Sequence, residues 1–82
     1  MVVNREKEMD TTAYMNDSRY QLESKLRGSG WTILDINFGG KRKKQYGKDW
    51  KVITPEKRPC IIRTKTSARL PIAEYSIIEY LD

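Results

Sequence analysis

The apolar positions of this chain fall into short patterned stretches separated by glycine, proline and charge. Leu22 and Leu26 stand four apart and Met15 lies seven before Leu22, the recurrence of a stripe along one face of an α-helix. Asp17-Ser18-Arg19-Tyr20-Gln21 runs into that stripe. Ser18 is a capping residue type, and Gln21 stands three residues later as the reciprocal partner of a capping box. Gly28-Ser29-Gly30 ends the helix, because glycine enters the left-handed region without a Cβ penalty.

A period of two takes over at residues 31–38. Leu34, Ile36 and Phe38 fall on one side and Asp35 and Asn37 on the other, which predicts a half-buried strand. Gly39-Gly40 accepts the positive φ angles of a type I′ hairpin turn, so the chain is expected to reverse there. Residues 41–46 read as an exposed strand or as the arm of a long loop, and Gly47-Lys48-Asp49 as a bulge or second turn. Trp50, Val52 and Thr54 then alternate with Lys51 and Ile53 as the next strand. Pro55-Glu56-Lys57-Arg58-Pro59 is a connection, since proline cannot donate to a ladder. A further strand follows over residues 60–65, with Cys60 and Ile62 on one face and Ile61 and Arg63 on the other. Ser67 as cap and Pro71 in a first turn predict a closing helix. Leu70, Ala73, Ile77 and Leu81 form its buried stripe, and Ile72 and Tyr75 lie on its opposite side.

These elements predict an α+β fold: a two-layer sandwich in the order helix, three or four antiparallel strands, helix. Residues 1–12 are expected to be a flexible N-terminal segment and residues 13–82 a single small domain. The expected core is Leu22, Leu26, Leu34, Ile36, Phe38, Val52, Ile62, Ala73, Ile77 and Leu81, with Trp31 at its edge. The order of elements resembles that of double-stranded-RNA-binding domains and of small toxins built on the same fold. The resemblance is one of order alone. Ser67-Ala68-Arg69-Leu70-Pro71 does not match the lysine cluster that opens the last helix of such domains, and the toxins' catalytic histidine has no counterpart here.

Composition narrows the chemistry. At 82 residues the chain is near the lower size limit for independent folding. A single cysteine allows no intrachain disulfide, and without histidine there is no Cys/His metal cluster and no imidazole base at neutral pH. Cys60 has no histidine to activate it and is expected to be structural. No phosphate-cradling GxxxxGK[ST] loop occurs. Glu23-Ser24-Lys25 and Asp49-Trp50-Lys51 have the local acid-x-Lys spacing of metal-dependent nucleases, but the first sits on a predicted helix and the second brings no companion acid. The sequence therefore predicts a non-enzymatic protein with no cofactor, no metal and no small-molecule substrate. Residues 1–7 lack the apolar core of a signal peptide, and no apolar run is long enough to cross a membrane, so a cytoplasmic location is expected.

Charge then points to a partner. The net charge of +5 is unevenly spread: residues 41–69 carry eleven basic side chains against Asp49 and Glu56, while the segments on either side are net acidic. The densest part is Gly39-Gly40-Lys41-Arg42-Lys43-Lys44-Gln45-Tyr46-Gly47-Lys48-Asp49-Trp50-Lys51. Cations of this density release counterions from phosphates, and an interleaved aromatic can stack on an unpaired base. The expected function is nucleic-acid binding through this hairpin. Lys41, Arg42, Lys43, Lys44, Lys48 and Lys51 are the phosphate contacts, Tyr46 the stacking residue, and Arg63 and Lys65 the extension of the patch. The alternative is a small adaptor or inhibitor of phage type that docks on an acidic surface of a nucleic-acid-processing enzyme, with Ile72 and Tyr75 as its apolar anchors. Lysine on exposed strands also serves solubility and blocks edge pairing, which is the plainer reading of the same residues.

Overall fold

The computed structural model describes residues 17–41 and 45–82. The expected flexible segment, residues 1–12, and the predicted contacts Arg42, Lys43 and Lys44 lie outside the described residues.

Helix α1 (Ser18–Gly28) carries Leu22 and Leu26 on its buried side. Its cap is Asp17 rather than Ser18: the Asp17 side chain accepts the Arg19 N–H at 2.8 Å, satisfying one of the donors that a helix start leaves open. The far end closes as the glycines predict. Gly30 takes φ +94°, its N–H reaches the Arg27 carbonyl at 3.3 Å, and the Trp31 N–H reaches that of Leu26 at 3.0 Å. This is the two-bond Schellman arrangement, and it turns the chain sharply into the sheet.

Four strands follow: β1 (Thr32–Asp35), β2 (Asp49–Ile53), β3 (Pro59–Lys65) and β4 (Glu74–Tyr80). They form one antiparallel sheet in sequence order, each strand pairing with the next. The described residues thus form an α+β fold with one helix on one face of a four-stranded sheet. The helix start is tied to the segment before β4 by the Ala73 N–H on the Ser18 carbonyl at 3.1 Å, and its end leads through Trp31 into β1. Leu22 and Leu26 pack on Ile33, Trp50, Val52, Cys60, Ile62 and Ala73. Trp50, Val52, Cys60 and Ile62 are fully buried, each apolar side chain contributing about 1.5–3 kcal/mol by leaving water.

The strand phase of β1 differs from the expected one. Ile33, not Leu34, points inward opposite Val52, and the register shifts between Ile33 and Asp35, where a bulge leaves Leu34 half exposed. The strand stops at Asp35, whose carboxylate accepts the Asn37 N–H at 2.9 Å and starts a turn. Ile36 is only partly buried and Phe38 is exposed, so neither is a strand core position.

The expected closing helix is strand β4. Ser67 does act as a cap, but of a turn: its Oγ accepts the Arg69 N–H at 3.3 Å and its carbonyl the Leu70 N–H at 3.2 Å. Beyond it Tyr75, Ile77, Ile78 and Tyr80 are strand-forming types, and the open edge of β3 gives their backbone a partner. Ile77 and Tyr80 lie opposite inward residues Ile62 and Cys60 although they are three apart, because the pairing shifts between Ile61 and Ile62. The helix does not reach over this edge strand, so Ile77 and Leu81 stay exposed while Ala73 alone of the expected stripe is buried.

Candidate polyanion interface

Residues 36–48 connect β1 to β2, and two backbone hydrogen bonds close the neck of this excursion. The Phe38 N–H reaches the Asp49 carbonyl at 2.9 Å and the Gly47 N–H that of Ile36 at 2.8 Å. Gly39-Gly40 is not a two-residue hairpin turn. The turn spans residues 36–39, with the Gly40 N–H on the Asn37 carbonyl at 2.9 Å and Gly39 at φ +81°. The Asn37 amide lies between Gly40 and Gly47, and a Cβ on either glycine would collide with it. Close approach of the Asn37 side chain thus favours glycine at both positions, and at Gly47 the Asn37 Cα adds to it, so the neck is tightly packed.

The returning arm is anchored from below. The Trp50 indole N–H donates to the Gly47 carbonyl at 3.0 Å, and the Thr64 N–H to the Lys48 carbonyl at 2.6 Å. The buried Thr64 hydroxyl sits 3.0 Å from the Lys48 carbonyl and 3.3 Å from that of Gly47, and it accepts from Arg19 Nε at 3.1 Å. The Tyr46 ring leans on Trp50 with centroids 5.7 Å apart, and its hydroxyl donates to Glu23 Oε1 at 2.6 Å. Arg27 holds the other Glu23 oxygen at 2.8–2.9 Å. Tyr46 thus latches the loop onto the helix and is half buried, rather than standing open as a stacking platform. The sequence alone does not point to Arg19, Glu23 or Thr64. The two helix residues carry no local signal for a loop more than twenty positions away, although Thr64 is readable as an inward position of β3.

The ladders pair most of the remaining cations with carboxylates. On the face away from the helix, Lys51 lies opposite Asp35, Arg63 opposite Asp49 and Lys65 opposite Glu74. Arg63 closes a two-point ion pair with Asp49, which holds that carboxyl below the usual range, chiefly through this hydrogen bond. Arg58 does the same with Asp82 while its guanidinium covers the Tyr80 ring at 3.7 Å. Opposite charges facing each other across a ladder stabilise a sheet, and Lys51, Arg63 and Lys65 are placed for that role. Lys41 and Lys48 are exposed, and among the described residues neither has an ion-pair partner.

At the end of the sheet from which the loop emerges, Lys48, Arg63, Thr64, Lys65, Glu74, Tyr75 and Ser76 line an open groove of about 460 Å³. The two expected protein-partner anchors differ: Ile72 is half buried against the core, while Tyr75 is 39% exposed with its ring in edge contact with Trp31. The nuclease-like acids are committed elsewhere, Glu23 to Tyr46 and Arg27 and Asp49 to Arg63. Cys60 is fully buried and its thiol pKa is pushed up, first by desolvation. Among the described residues no group of three or more acids or thiols is placed to hold a metal ion, and no helix is long and apolar enough to cross a membrane. Compared with protein-family models, curated proteins and solved structures, the chain matches none.

Proposed function

We propose that this chain is a non-catalytic binding module that holds a nucleic acid through the basic loop between β1 and β2. The observation that carries the reading is the contrast in how the cations are spent. Arg63 closes an ion pair with Asp49, and Lys51 and Lys65 stand opposite Asp35 and Glu74 in the ladder, whereas Lys41 and Lys48 flank the loop with neither a carboxylate opposite them in a ladder nor an ion-pair partner among the described residues. Arg42, Lys43 and Lys44 complete the run between them. A packed neck presents these charges from a fixed base, and phosphates are the anions whose spacing suits such a cluster.

The test is a salt titration against short oligonucleotides. Replacing Arg42, Lys43 and Lys44 with alanine should leave thermal stability nearly unchanged, because exposed charges contribute little to folding. The slope of log affinity against log salt should shrink by about one for each phosphate that the variant no longer neutralises. If the wild type binds no oligonucleotide even at low salt, the reading fails. An adaptor that docks on an acidic protein surface then takes its place, favoured by the exposed apolar side chains of β4: Tyr75, Ile77, Ile78 and Tyr80.

A further inference from the structure

Resting on the nucleic-acid reading above, we propose that Arg19, on the first turn of α1, is a further phosphate-binding residue. Its guanidinium takes one phosphate of the bound backbone on the helix side of the basic loop. The helix brings Arg19 to the place where the loop returns to the sheet. Arg19 Nε donates to the buried Thr64 hydroxyl at 3.1 Å, and that hydroxyl lies 3.0 Å from the Lys48 carbonyl and 3.3 Å from that of Gly47. The Thr64 N–H also holds the Lys48 carbonyl, at 2.6 Å. One threonine thus fixes the end of the basic run and the helix arginine together, so a backbone that follows the loop past Lys48 comes within reach of Arg19.

The partner that each arginine Nε finds separates Arg19 from the others. Arg27 gives Nε to Glu23, Arg58 to Asp82 and Arg63 to Asp49, and each closes an ion pair. Arg19 gives Nε to a neutral hydroxyl, and no carboxylate closes an ion pair with it among the described residues. The acids on either side of it along the helix are committed elsewhere. Asp17 takes the Arg19 backbone N–H as the helix cap, and Glu23 holds Tyr46 and Arg27. The guanidinium therefore keeps its charge uncancelled while its plane is held at one edge. The two Nη groups form the fork that matches two phosphate oxygens. Bracing the loop neck needs only one neutral donor, so the charge is left for an anion from outside the chain. Arg19 is also half buried and tied down before any ligand arrives, so it loses less freedom on binding than an exposed lysine does.

The experiment is a salt titration of wild type, Arg19→Gln and Arg58→Gln against a short oligonucleotide. Glutamine places its amide nitrogen where arginine has Nε, so it can keep the Thr64 bond while removing the charge and the fork. Arg58 precedes β3, at the end of the sheet away from the loop, and its replacement changes the net charge by the same amount. The slope of log affinity against log salt should shrink by about one in Arg19→Gln and stay at the wild-type value in Arg58→Gln. Thermal melts of Arg19→Gln should lie close to those of wild type. A wild-type slope in folded Arg19→Gln, or an equal loss in Arg58→Gln, overturns the assignment. Should Arg19→Gln fail to fold, the wild type decides the matter. Bound oligonucleotide should slow phenylglyoxal modification of Arg19 and leave that of Arg58 unchanged, and an Arg19 rate indifferent to binding overturns the assignment. In each of these failures a slope lost on replacing Arg42, Lys43 and Lys44 leaves the basic loop standing. Absence of any binding by the wild type at low salt overturns both.

Discussion

Asp49 on β2 and Arg63 on β3 face each other and close a two-point ion pair, Nε to Oδ1 at 2.9 Å and Nη2 to Oδ2 at 3.1 Å. The pair neutralises a cation that lines the groove, so Asp49→Asn should release Arg63 to a polyanion. The salt slope of binding is expected to steepen by about one, with affinity rising most at low salt. An unchanged slope would mean that Arg63 lies off the path of the bound polymer.

The same pair sets an acid limb of stability. The folded Asp49 carboxyl is held below its ordinary value, first by the Arg63 hydrogen bond, so its contribution is complete above the unfolded pKa of about 3.9. It is lost as pH falls through the lower folded value. Asp82 is held low in the same way by Arg58. Urea unfolding from pH 7 down to pH 2 should therefore show stability constant near neutrality and falling below about pH 4. Asp49→Asn should show a smaller fall, and at neutral pH should be less stable by about 0.2–1 kcal/mol, as for other exposed pairs.

Two glycines separate close approach from mere flexibility. Gly47 packs on the Asn37 amide and on Asn37 Cα, so Gly47→Ala should force the loop neck apart. The neighbouring carbonyl bonds from Trp50 and Thr64 would be strained with it, and a loss of about 1–3 kcal/mol is expected together with weaker binding. Gly28, at the end of α1, has open space around its Cβ position and a φ outside the left-handed region. Gly28→Ala should stabilise by up to about 1 kcal/mol. Thermal melts of the two variants, moving in opposite directions, are the check.

Local signals are legible in the chain, and the positions that need a distant partner are not. The helix over Leu22 and Leu26, its glycine stop, and the strands around Val52 and Ile62 all follow from period and punctuation. The segment after Pro71 misleads because Ala73, Ile77 and Leu81 stand at helical spacing while the intervening Tyr75, Ile78 and Tyr80 prefer strands. The free edge of β3 settles the matter, and that edge is not visible in the segment itself. Likewise the basic loop is plain in the sequence, but Tyr46 looks available there because its captor Glu23 lies on the helix. Lys51, Arg63 and Lys65 look like one patch because cross-strand carboxylates appear only once the register is known.

The phase of β1 provides the sharpest test of the core. Strict alternation from Leu34 would bury Leu34, Ile36 and Phe38. The bulge instead buries Ile33 against Val52 and turns Leu34 out, leaving it 50% exposed. The two neighbours have equal numbers of side-chain carbons, so truncating each to alanine removes the same hydrocarbon from opposite sides of the sheet. Ile33→Ala should cost about 2–5 kcal/mol, since the space it leaves lies between Leu26 and Val52 in the main cluster and cannot refill from solvent-exposed neighbours. Leu34→Ala should stay within about 0.5 kcal/mol of wild type, as for other exposed positions. Ile77, on the uncovered edge strand, should fall between them. Ile62→Ala, at a fully buried position of β3, sets the upper end of the scale. Denaturant unfolding of the four variants measures the order directly. A larger loss for Leu34→Ala than for Ile33→Ala would put β1 in the opposite phase and move the bulge, and with it the base of the basic loop.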